Sequence, residues 1–116
     1  MPRIDHVAVE TDDPDRTAAF YERHFGARIV RTEGHPVMAY LGNTSFAIHG
    51  RGGPGSHTAI RVTALELEQL KRDLDTAGIE WTERDHEIAV GVFFLDPDGR
   101  QLEAISYRGG EDPRKP

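Results

Sequence analysis

Residues 57–62, His57-Thr58-Ala59-Ile60-Arg61-Val62, decide the fold, because they restart a pattern that the chain has already run once. Thr58, Ile60 and Val62 alternate with His57, Ala59 and Arg61, the period-2 signature of a strand. Thr63-Ala64-Leu65-Glu66 follows as a capping box, in which threonine and glutamate each satisfy an orphan N–H at a helix start. Leu67, Leu70, Leu74 and Ala77 form one apolar stripe, and Gly78 supplies the stop. Glu80 to Glu83 reads as a short strand. Ile88 to Leu95 and Gln101 to Ser106 read as a hairpin around Asp96-Pro97-Asp98-Gly99.

The first half has the same order. Ile4 to Val9 is a strand rich in β-branched residues. Asp13 is a helix N-cap and Pro14 suits the first helical position. Phe20, Tyr21, His24 and Phe25 recur at helical spacing before Gly26. Arg28 to Thr32, Val37 to Leu41 and Thr44 to His49 complete three more strands, the last two joined at Gly42-Asn43. A unit repeated in this way governs the whole fold. The expectation is an α+β fold of tandem βαβββ modules, about 3–50 and 56–107, making one domain over residues 1–107. The modules should form one mixed, cup-shaped sheet with helices on the convex face. Arg51-Gly52-Gly53-Pro54-Gly55-Ser56 reads as a flexible linker between them. Residues 108–116 hold no apolar anchor and are expected to be a disordered tail.

Composition narrows the function. The 116 residues carry no cysteine, which excludes disulfide scaffolds, thiol nucleophiles and thiolate metal sites. A net charge of -6 argues against a nucleic-acid partner, which usually meets a basic stripe. No apolar run has the length of a membrane span, and the first residues do not resemble a secretory signal. The expectation is a cytoplasmic domain with a small-molecule partner, no membrane and no nucleic acid.

Strand parity locates the chemistry. The larger apolar residues fall on one set of faces, suited to packing on helices. The other set carries His6, His57 and Glu103, with His49 beside them, among the small residues Ala8, Ala47 and Ala59. Titratable groups next to small residues describe a lined pocket rather than a filled core. His6 and His57 hold the same place in the opening strand of each half, and Ala47 and Glu103 the same place in the closing strand. Two histidines and one carboxylate are the ligands of a facial triad, which holds one side of a divalent ion and leaves the other for substrate. Singly, each has an ordinary reading: half-buried strand histidines, and an edge-strand glutamate. His49 reads as pocket wall or surface. His24, His35 and His86 lie in polar stretches and receive no role. Arg61 shares the His57 face, where it could meet an anionic substrate or pair with a carboxylate.

The sequence resembles the vicinal oxygen chelate superfamily, whose members include glyoxalase I, fosfomycin-resistance enzymes, extradiol dioxygenases, methylmalonyl-CoA epimerase and bleomycin-resistance proteins. The resemblance covers about residues 3–107. It rests on residues 4–9, on Phe20-Tyr21 with Phe25-Gly26, on Ser56-His57-Thr58-Ala59, and above all on Phe93-Phe94-Leu95-Asp96-Pro97-Asp98-Gly99-Arg100-Gln101-Leu102-Glu103. It implies a divalent metal (iron, manganese, zinc or nickel) on His6, His57 and Glu103, with Glu103 also a transient catalytic base. It implies an enzyme that chelates vicinal oxygens of a small substrate, with lyase, isomerase, epoxide-opening or dioxygenase chemistry, and a homodimer. Glyoxalase I carries a glutamate where this chain has Ala47, so a three-ligand site is expected. The alternative within the resemblance is a metal-free drug-sequestering protein of the bleomycin-resistance kind; the retained ligands favour the enzyme.

Overall fold

The computed structural model describes residues 2–116. Its elements run β1 (Arg3–Glu10), α1 (Pro14–Phe25), β2 (Arg28–Val30), β3 (Val37–Leu41), β4 (Thr44–His49), then β5 (His57–Arg61), α2 (Ala64–Ala77), β6 (Trp81–Asp85), β7 (Ala89–Leu95) and β8 (Gln101–Tyr107). This is βαβββ twice, an α+β fold. The strands form an eight-stranded mixed sheet in the order β2-β3-β4-β1-β5-β8-β7-β6. Contacts divide the chain into two compact units, one of residues 5–57 with 114–116 and one of residues 58–113 with the first residues of β1.

In the first unit, Asp13 accepts from the Arg16 backbone N–H at 3.0 Å, Pro14 opens α1, and Gly26 ends it with φ +70°. The helix lays Ala18 and Tyr21 on Val9, Ala39, Phe46 and Ile48, with the Tyr21 and Phe46 rings stacked at 4.5 Å. The other face of these strands buries a separate cluster of Ala8, Met38, Tyr40 and Ala47. β1 and β4 run parallel, with Ala8 opposite Ala47 and Glu10 opposite His49.

The second unit repeats this logic. Both bonds of the Thr63–Glu66 capping box form, at 2.8 and 3.1 Å, and Gly78 ends α2 at φ +71°. Leu67, Leu70 and Leu74 cover Val90, Val92, Phe94 and Ala104. Trp81 joins that cluster and donates its indole N–H to Asp75 at 2.8 Å. The opposite face packs Ala59, Ala89, Ile105 and Tyr107 together. β5 and β8 are parallel, with Ala59 opposite Glu103. The first unit's Ala8–Ala47 pair therefore stands where the second has Ala59–Glu103, and each alanine on the left follows its histidine by two residues. β6 begins at Trp81 and extends to Asp85, later than the stretch 80–83 read from sequence, because it pairs with β7 along Asp85–Val90. Arg108, just after β8, donates from Nε to the Glu87 carbonyl at 2.8 Å, and Asp112 is buried. No helix among the described residues is long and apolar enough to cross a membrane.

Candidate metal centre

His6 is buried on β1, on the face that also carries Ala8. Its Nδ1 lies 2.8 Å from Oδ2 of Asp5, itself buried. His57 is the first residue of β5 and is buried; its Nδ1 lies 2.8 Å from the Gly55 carbonyl. A carbonyl oxygen only accepts, so Nδ1 of His57 carries a proton, and in the neutral ring Nε2 is the nitrogen with the lone pair. A carboxylate imposes the same on His6. Outer partners of this kind fix ring orientation and raise the basicity of the ligand nitrogen. The two rings meet edge to face, centroids 5.9 Å apart and planes at 70°.

Glu103 lies on β8 with 2% of its surface exposed. A carboxylate so buried needs compensating partners. One is His86, whose Nε2 donates to Oε2 at 2.8 Å. His6, His57 and Glu103 each offer one ligand atom, and these atoms lie within 4.8 Å of one another. Ligands sharing one side of an ion at about 2.1 Å stand about 3–3.5 Å apart, so a modest closing of the three side chains would bring them onto one ion. The donor set fits too: imidazole nitrogens and a carboxylate suit iron, manganese, zinc or nickel. A buried His/His/Glu triad of this kind could hold a metal.

Other residues weighed from sequence fall around this group rather than in it. Ala47 is 1% exposed against Ala8, Met38 and Tyr40 and offers no ligand atom. His49 ends β4, half-buried, its ring 6.4 Å from that of His57. The Arg61 guanidinium stacks 4.9 Å from the Tyr107 ring centroid. With Arg3 and Arg108 it lines a cleft at the start of α2, to which none of the three triad residues contributes.

Three residues escaped the sequence reading. His86 was given no role, yet it contacts Glu103. Asp5 was read only as part of a strand. Gly91 was passed over, although a glycine inside an apolar strand commonly marks a close approach. A Cβ on Gly91 would overlap Oε2 of Glu103 and come within 2.9 Å of Nε2 of His86.

Comparison with known proteins agrees with this architecture. The chain resembles methylmalonyl-CoA epimerase from Mycobacterium tuberculosis with 21% identity and a TM-score of 0.70, over 90% of this chain and 87% of that one. A methylmalonyl-CoA epimerase in complex with methylmalonyl-CoA and NH4+ gives 19% identity and a TM-score of 0.75, over 97% and 99%. The 2,3-dioxygenase LapB from Pseudomonas sp. KL28 gives 21% identity and a TM-score of 0.73, over 90% of this chain but 40% of that longer one. At these identities the likeness is one of fold. The family model described as Glyoxalase/Bleomycin resistance protein/Dioxygenase superfamily matches residues 3–104, nearly the whole length, and the chain belongs to that superfamily.

Proposed function

We propose that this protein is a metal-dependent enzyme acting on a small molecule with two adjacent oxygen atoms, and that His6, His57 and Glu103 hold the ion. The observation that carries this reading is the convergence of three buried ligand atoms within 4.8 Å, two of them imidazole nitrogens oriented by outer partners. A divalent ion there supplies Lewis acidity toward the substrate's oxygens.

The chain's own groups do the rest. Asp5 and Gly55 engage Nδ1 of each ring and hold its orientation, which leaves Nε2 as the nitrogen for an ion. Ala47, packed with Ala8, Met38 and Tyr40, brings no fourth ligand. Glu103 doubles as ligand and transient proton acceptor, close to any acidic C–H or O–H of a substrate held at the centre. The reaction belongs to the lyase, isomerase, epoxide-opening or dioxygenase chemistries of the superfamily. We assign the protein as a homodimer as well, on its membership of the superfamily.

Acetohydroxamate, a small chelator with two adjacent oxygens, tests the reading by calorimetry. The metal-loaded protein should bind it one to one, and the stripped protein should give no heat. Equal binding to both forms would point instead to a metal-free ligand pocket of the drug-sequestering kind. Binding to neither would contradict the open chelation site.

A further inference from the structure

We propose that His86 is the positioning residue of the metal-binding carboxylate: it fixes Oε2 of Glu103 so that the ion is met by a single oxygen in a set direction. This rests on the metal-centre reading above and adds a residue to it. The contact itself is a 2.8 Å hydrogen bond between an imidazole about one-third exposed and a carboxylate 2% exposed. An imidazole N–H on one carboxylate oxygen disfavours two-oxygen binding, since that oxygen's best lone-pair direction is taken.

Two further features of the second unit show that the contact is built. The first is the turn that carries His86. Glu87 has φ +71°, a left-handed conformation that costs a non-glycine residue energy and persists where the surroundings enforce it. Here they do. Asp85 accepts from the Glu87 N–H at 2.8 Å, and Arg108 donates to the Glu87 carbonyl at 2.8 Å while pairing with Asp85 at 2.9 Å. The His86 N–H donates to the Ala89 carbonyl at 2.8 Å, and the Arg108 N–H to the Ile88 carbonyl at 2.9 Å. A turn meant only to reverse the chain would place glycine or asparagine at that position. The second feature is the opposing wall. Gly91 presents bare backbone to the contact, so Oε2 of Glu103 and Nε2 of His86 meet in the space that a Cβ there would fill. The edge of that ring rests against Phe93, centroids 6.1 Å apart.

The competing explanation is an exposed hairpin histidine that bonds to the nearest carboxylate with no consequence for the ion. Cobalt(II) titration of the full, untagged chain separates the two. Wild type, His86→Ala and His86→Gln are compared by dissociation constant and by the visible absorption of the bound ion. Glutamine places its amide N–H near the position of the imidazole Nε2. His86→Ala is expected to weaken binding about 10–100-fold, the usual effect of losing an outer partner, and to change the visible spectrum. His86→Gln is expected to recover most of the affinity and the wild-type spectrum. Far-UV circular dichroism checks that each variant is folded, and should His86→Ala fail to fold, the glutamine spectrum decides. An alanine variant with wild-type affinity and spectrum overturns the proposal. So does a folded glutamine variant with a non-wild-type spectrum and much weaker binding. Wild type that binds no cobalt is a separate outcome: it removes the metal centre itself, and the role of His86 with it.

Discussion

Gly91→Ala is expected to disable the metal centre and to cost the fold some stability. The added Cβ would overlap Oε2 of Glu103 and press on Nε2 of His86. The obstacle is the end of a side chain rather than backbone, so the protein can relieve the collision by swinging the carboxylate away. Gly91 does not have a positive φ, so alanine adds no backbone strain there. The fold therefore loses about 1–3 kcal/mol for overpacking, and about 1–3 kcal/mol more where the buried Glu103 carboxylate gives up its His86 bond. The displaced group, however, is the ligand. Losing both its direction and its His86 bond should weaken metal binding by about 100-fold or more, beyond the effect of one lost outer partner. Equilibrium dialysis with manganese or zinc, alongside thermal unfolding, measures both quantities. A cycle with Glu103→Ala isolates the cause: once the carboxylate is gone, alanine at position 91 should have almost no further effect on stability. Wild-type metal affinity in Gly91→Ala would mean that Glu103 is not the ligand.

His6→Ala should show a comparable loss of binding together with a stability cost that is independent of metal. Protein–metal binding free energies on the order of 10 kcal/mol, spread over three ligands, assign about 3 kcal/mol to each, or roughly a hundredfold in affinity. The metal-free variant should also be destabilised, because Asp5, 8% exposed, loses its 2.8 Å bond to His6. Breaking one such buried bond costs about 1–3 kcal/mol. Thermal unfolding with and without zinc separates the contributions. At a zinc concentration 100 times the dissociation constant, wild type should gain about 2.7 kcal/mol, and the variant far less at the same concentration. Equal metal response in both proteins would leave His6 an ordinary strand histidine.

The sequence carried the fold well because its signals were local. The Asp13 cap, the Thr63–Glu66 box and the stops at Gly26 and Gly78 all have the geometry their residue types require. The alternation in residues 57–62 and 101–106 set the faces, and the observed apolar clusters follow them. Repetition made the triad visible: His6 and His57 open equivalent strands, and the register pairs Ala8 with Ala47 and Ala59 with Glu103. What surrounds the triad was not visible in this way. His86 reaches Glu103 from a hairpin tip, where no periodicity applies. The turn is shaped by Arg108, 21 residues beyond Glu87, a partnership that no local pattern announces. Asp5 and Gly91 did leave signals, an acid beside a candidate ligand and a glycine within Ala89–Leu95, but each has meaning only once its neighbour in space is known.

The most direct measurement is the metal content of the chain purified without a histidine tag. After exposure to an equimolar mixture of iron(II), manganese, zinc and nickel and then exhaustive dialysis, elemental analysis should find about one divalent ion per chain. A chain that retains no metal, and whose unfolding temperature does not move when any of these ions is added, would contradict a metal centre at His6, His57 and Glu103.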